Sequence, residues 1–184
     1  MRKKGTTIIQ KASWKKAALF TMLFVAFYCL INFSGMGVAG LLKITGGANI
    51  LDLELGYTYD EAYQILTALG TEGRIFYLTK IIPIDFVFPF IYMLFFTSWI
   101  ALLIKHITDK KWCKYLLFVP VFAMLFDWIE NMSIIVLLHS YPNLSAWAVF
   151  TASTVGILKM ILSMGSIAII GILIVIFIVK RIRK

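Results

Sequence analysis

The sequence predicts an all-α membrane protein, a polytopic four-transmembrane-helix up-down bundle with a short amphipathic helix in its first outer loop. Three observations lead there. Apolar residues make up 61% of the 184-residue chain, more than the interior of a soluble domain of that length has room to bury. They gather into four stretches, about 17–36, 81–104, 116–138 and 148–179, each long enough for the roughly 20 residues a helix needs to cross a bilayer. The links after the second and third stretches, "KHITDKKWCK" and "HSYPNLSAW", are short, which makes consecutive spans antiparallel neighbours. No internal repeat, low-complexity segment or linker divides the chain, and residues 1–184 read as a single membrane domain.

The first stretch follows a basic segment, and Gly37-Val38-Ala39 offers small residues of the kind at which a signal peptidase cuts. Its apolar core exceeds the roughly 7–15 residues of a signal sequence, so it is expected to remain in the membrane as a span.

The net charge of +9 raises nucleic acid as a partner, but its distribution argues for topology instead. Six basic residues lie in "MRKKGTTIIQKASWKK", four in "KHITDKKWCK" and four in "KRIRK", fourteen of the eighteen in all. A four-span chain places these three clusters on one side of the membrane. That is the positive-inside pattern, and it predicts both termini in the cytoplasm, a plasma-membrane location and attraction to anionic lipid headgroups, with no nucleic acid.

The opposite side carries a loop over about 37–75, too long for a plain connection. Its charges are Asp52, Glu54, Asp60, Glu61 and Glu72 against Lys43 and Arg74, and the acids need no partner beyond water. Within the loop, "TYDEAYQILTALG" predicts a helix at about 59–69, started by a Thr58–Glu61 capping box and stopped at Gly70. Ala62, Ile65, Leu66 and Leu69 share one face by i, i+3, i+4, i+7 spacing. That helix is expected to lie flat on the membrane surface, with covering the outer mouth of the bundle as the alternative.

The functional question comes from polar residues inside the spans. Asp127, Glu130 and Asn131 follow i, i+3, i+4 spacing and occupy one helical face. At 1.5 Å per residue they begin about 17 Å into a core about 30 Å thick. Exposure of that face to lipid costs several kcal/mol, so it should point into the bundle. In "IIPIDFVFPFIY", Asp85 and Tyr92 are seven residues apart and share a face, with Tyr92 at about the depth of Asp127. Pro83 and Pro89 are expected to kink this span and free backbone carbonyls that neighbours must satisfy. The fourth stretch supplies Lys159, within reach of Glu130 or Asp85, and a stripe of Gly156, Ser163 and Ser166 small enough for close helix approach.

Asp85, Tyr92, Asp127, Glu130, Asn131, Lys159 and Ser163 are therefore expected to line an outward-facing polar chamber, together with the aromatics Phe86, Phe88, Phe90, Phe126 and Trp128. Three carboxylates facing one lysine leave excess negative charge, so one carboxyl holds a proton or a further cation joins, Lys80 or Arg74 being the candidates. Three readings follow. The chamber binds or moves a small amphiphile, cation or proton, a homo-oligomer supplying further spans if transport needs them. A small membrane enzyme uses the carboxylates as acid and base on a lipid or isoprenoid, with Glu130 or Asp127 as base and Lys159 or Tyr92 polarising. Or a structural or partner-binding subunit uses the polar network only to fix helix register.

The remaining features call for plainer roles. Cys29 and Cys113 read as unpaired, and His106 and His139 lie near opposite ends of their hairpin, so neither a metal site nor a cofactor is expected. Trp14, Trp112, Tyr115, Tyr141 and Trp147 fall near span ends, where aromatic side chains anchor helices at the interface. "YPN" at 141–143 signals a turn, and Asn143-Leu144-Ser145 is a glycosylation sequon in a eukaryotic setting. The orientation is checked by placing a single cysteine at Thr58 in a chain lacking Cys29 and Cys113. A membrane-impermeant thiol reagent should label it in intact cells, whereas labelling only after membrane disruption would reverse the topology.

Overall fold

The computed structural model describes residues 8–108 and 110–183. Arg2, Lys3, Lys4 and Lys184 of the basic clusters lie outside them. The described residues are mostly helical and contain no strand: a short α1 (Ile8–Lys11) and α2 (Trp14–Phe33), then α3 (Val38–Thr45), α4 (Tyr59–Ala68) and α5 (Gly70–Phe76). Three long helices follow, α6 (Ile82–Ile107), α7 (Phe118–Ser140) and α8 (Ala146–Ile182). Four segments are long and apolar enough to cross a membrane, in the order expected.

The helices begin where side chains satisfy their first backbone N–H groups. Ser13 accepts from Lys16 N at the start of α2, and Ser145 accepts from Ala148 N at the start of α8. At α4 the expected capping box is present: Thr58 Oγ1 accepts from Glu61 N, and the Glu61 carboxylate accepts from Thr58 N at 2.7 Å. Gly70 ends α4 with φ +63, a left-handed conformation that costs a residue with a Cβ.

The second span starts earlier than the apolar pattern suggested. Helix resumes at Gly70 rather than near 81, so the outer loop is shorter than 37–75 and the helical rod runs 38 residues to Ile107. Its one irregular turn is explained by Pro83, which has no N–H for the carbonyl of Thr79 and whose ring pushes that carbonyl away. The chain widens into a π-helical turn over Tyr77–Ile81, and Ile82 N donates to the carbonyl of Tyr77. This turn buries Tyr77 and Ile81 together.

The spans run antiparallel in sequence order. Lys105 Nζ near the end of α6 reaches the carbonyl of Ala12 just before α2. Asp85 and Asn131 meet at one end of the α6–α7 pair, and Tyr92 and Asp127 meet farther along it. α7 and α8 form the most extensive pair, while α2 packs chiefly along α6, where Trp99 Nε1 donates to Thr21 Oγ1 at 2.9 Å and Phe24 stacks on Phe95.

α4 packs against the bundle, the arrangement given above as the alternative. Its apolar face, Ala62 and Leu66 fully buried, joins Leu41, Leu51, Tyr77, Ile134, Leu137, Val149 and Ala152 in one core that closes the loop end of the bundle. Burying an apolar face in protein releases more water than floating it at an interface, and at the ends of α7 and α8 it finds apolar partners.

The fully exposed Glu61 carboxyl is held below the ordinary glutamate range by the backbone N–H and hydroxyl of Thr58. A carboxyl depressed in the folded state stabilises it above the unfolded value and loses that contribution as pH falls through the folded one. Amide protection of α4, corrected for the intrinsic pH dependence of exchange, should therefore drop below pH about 4.3. Glu61→Gln should flatten that dependence.

Candidate functional site

The polar residues converge on the junction between α6, α7 and α8. Lys159, on α8, forms an ion pair with Glu130 and stands 3.7 Å from Asp127 Oδ1. Of the two partners expected for this lysine it takes Glu130, together with Asp127, and not Asp85. The space for the pair comes from Gly156, one turn before Lys159: a Cβ there would run into the Glu130 carboxylate. The small-residue stripe thus opens the helix pair at Gly156, and Ser166 farther along is buried and donates to the carbonyl of Leu162.

Asp127 links onward to α6. The hydroxyl of Tyr92 donates to its Oδ2 at 3.0 Å, so the two groups placed at one depth by counting residues do meet. One turn farther along α7, Asn131 has a different task. Pro89 cannot supply the N–H that the carbonyl of Asp85 would receive in an unbroken helix. Asn131 Nδ2 supplies it instead, at 3.1 Å, and Trp128 Nε1 donates to the neighbouring carbonyl of Phe86 at 2.9 Å. The carbonyl freed by Pro89 is thereby satisfied by a side chain of α7, as a missing backbone bond at membrane depth requires.

A cavity of about 370 Å³ lies beside this network. Asp85, Tyr92, Asp127, Lys159 and Ser163 line it; Glu130 and Asn131, expected among the lining residues, sit behind it, the first against Gly156 and the second against the Asp85 backbone. Of the aromatics expected to line it, Phe88 and Tyr92 do, Phe90 is exposed, and Phe86, Phe126 and Trp128 are outside it. Their places are taken by Phe96 and by the outer half of α2, through Phe24, Tyr28, Ile31 and Asn32. The i, i+4, i+8 spacing of Phe24, Tyr28 and Asn32 was the available signal for that face.

A carboxylate from the loop completes the wall. Asp52 lines the cavity with Ile50 and Leu53, and one of its oxygens receives the hydroxyl of Tyr77. Burial pushes the Asp52 carboxyl up from its ordinary range, with Lys159 and the Tyr77 hydroxyl pulling the other way. It is thus not one of the solvated loop acids that the sequence suggested. The further cations considered are also elsewhere: Arg74 donates to the carbonyl of Leu66 at 2.7 Å and lies over the Tyr141 ring, and Lys80 is exposed. Among the described residues, Lys159, paired with Glu130 and near Asp127, is thus the one cation on a wall that also carries Asp52 and Asp85.

Among the described residues, no group of three or more His, Cys, Asp or Glu side chains is arranged to hold a metal ion. Cys29 is exposed and Cys113 buried, and both are free. No protein family, curated protein or solved structure matches the chain.

The proline explanation of Asn131 is checked by a double-mutant cycle. Asn131→Ala should lower stability in nanodiscs by about 1–2 kcal/mol, the upper part of the range for polar contacts in membrane bundles. In a Pro89→Ala background, where the backbone N–H is restored, the same substitution should cost clearly less. Equal costs in both backgrounds would disconnect Asn131 from the proline.

Proposed function

We propose that this membrane protein binds a small amphiphile of positive charge in the cavity between α2, α6 and α8. One observation carries the reading: an apolar, aromatic-rich cavity has an acidic end lined by Asp52, Asp85 and Asp127, where the single lysine is already paired with Glu130 behind the wall. In a medium of low dielectric constant such an imbalance draws in a cation, and Phe24, Tyr28, Phe88 and Phe96 offer apolar surface and ring faces to the rest of the molecule. The volume lies in the range of small-molecule sites.

The basic end supports the orientation. Lys105 holds the carbonyl of Ala12, and Lys180 holds that of Ile107, which draws the three basic segments to one end of the bundle. Trp14 packs with Trp99, His106 and Phe177 there. We place this end in the cytoplasm, against anionic headgroups of the plasma membrane, and the acidic cavity nearer the outer face.

Thermal unfolding in nanodiscs tests the reading with three molecules of one skeleton: phenylbutylamine, phenylbutanol and phenylbutyrate. The amine should raise the melting temperature, by up to about 2.7 kcal/mol of stabilisation at a hundredfold excess over its dissociation constant. The alcohol and the acid should not. Stabilisation by all three, or by none, removes the proposal.

A further inference from the structure

Resting on the cation-binding reading above, the distribution of hydrogen-bonding groups specifies the ligand more closely. The charged and amide donors in the site are already engaged: Lys159 pairs with Glu130 and approaches Asp127, the Tyr92 hydroxyl goes to Asp127, and Asn131 gives its N–H to the Asp85 backbone. Apart from the hydroxyls of Tyr57 and Ser163, what remains is acceptors. On the cavity wall, Asp127 Oδ1 and Asp52 Oδ1 are buried without a hydrogen-bond partner among the described residues. Asp85 is 8% exposed and lines the cavity, its carboxylate has the Asn131 amide beside it, and among the described residues it forms no ion pair.

Buried acceptors without donors cost free energy that a bound donor recovers. A quaternary ammonium satisfies the charge and leaves every one of these acceptors unpaired. A protonated amine satisfies both. We infer that the ligand is an N–H-bearing amine, its ammonium donating to the carboxylate of Asp85 and its apolar part lying against the α2 aromatics.

Size narrows the class further. At about 30 Å³ for each water-sized atom, the cavity accommodates roughly a dozen non-hydrogen atoms. That matches an aryl-alkyl or short-chain amine.

The test compares N,N-dimethylphenylbutylamine, which keeps one N–H when protonated, with its N,N,N-trimethyl counterpart, which has none. They differ by one methyl group and carry the same charge. Binding to the full chain in nanodiscs is read by isothermal titration calorimetry. The tertiary amine should bind about tenfold or more tightly than the quaternary ion, the worth of one charge-assisted hydrogen bond. Asp85→Asn should abolish that preference, and because the ligand comparison is complete in the unaltered protein, it stands even where the variant fails to fold. Equal affinity for the two ions overturns the inference while leaving a cation site in place. A preference that persists in a folded Asp85→Asn protein overturns the assignment to Asp85. Failure of both ions to bind overturns the inference together with the reading beneath it.

Discussion

The architecture depends on one buried cation. Lys159 is the only Lys or Arg within the four apolar stretches, and it stands on α8 between two acids of α7. Removal of one partner from such a group leaves an uncompensated charge where water is absent, a loss of several kcal/mol. Register between α7 and α8 is therefore restricted: a shift of one residue on either helix carries Gly156 away from Glu130 and brings a Cβ against the carboxylate. The longest packed pair in the bundle is aligned by a glycine and a lysine one turn apart.

From that pair the order spreads outward through polar contacts of α7. Asp127 accepts from Tyr92, Asn131 supplies the donor that Pro89 lacks, and Trp128 adds a hydrogen bond to the next carbonyl. α6 is thus held twice, once by its side chain and once by its carbonyls. α2 comes last, attached to α6 by Trp99 and by aromatic stacking. Because α2 packs chiefly on α6, its outer half and α8 face each other across a cavity.

Two prolines on one span have opposite relations to that cavity. Pro83 is absorbed locally, by a wider turn that buries Tyr77 and lets its hydroxyl hold Asp52. Pro89 is absorbed at a distance, by α7. The Asn131 amide that donates there keeps its own Oδ1 buried without a hydrogen-bond partner among the described residues, so backbone repair and an open acceptor are connected through one amide.

Spans, their antiparallel order, the capping box at Thr58 and the shared depth of Tyr92 and Asp127 were all legible in the sequence, because each follows from local spacing and from the cost of placing polar atoms in hydrocarbon. The partners were not. Lys159 had Glu130 and Asp85 within reach, and only the crossing of α7 and α8 chose Glu130 with Asp127. Asp52 looked like any loop acid, since nothing in "NILDLELGY" states that the loop folds back over the bundle. The α4 face was legible as apolar, but its burial against Ile134, Leu137 and Ala152 required those helix ends to be brought beneath it. Periodicity identifies which face is buried; what buries it depends on residues distant in the chain, and those meet only in the packed bundle.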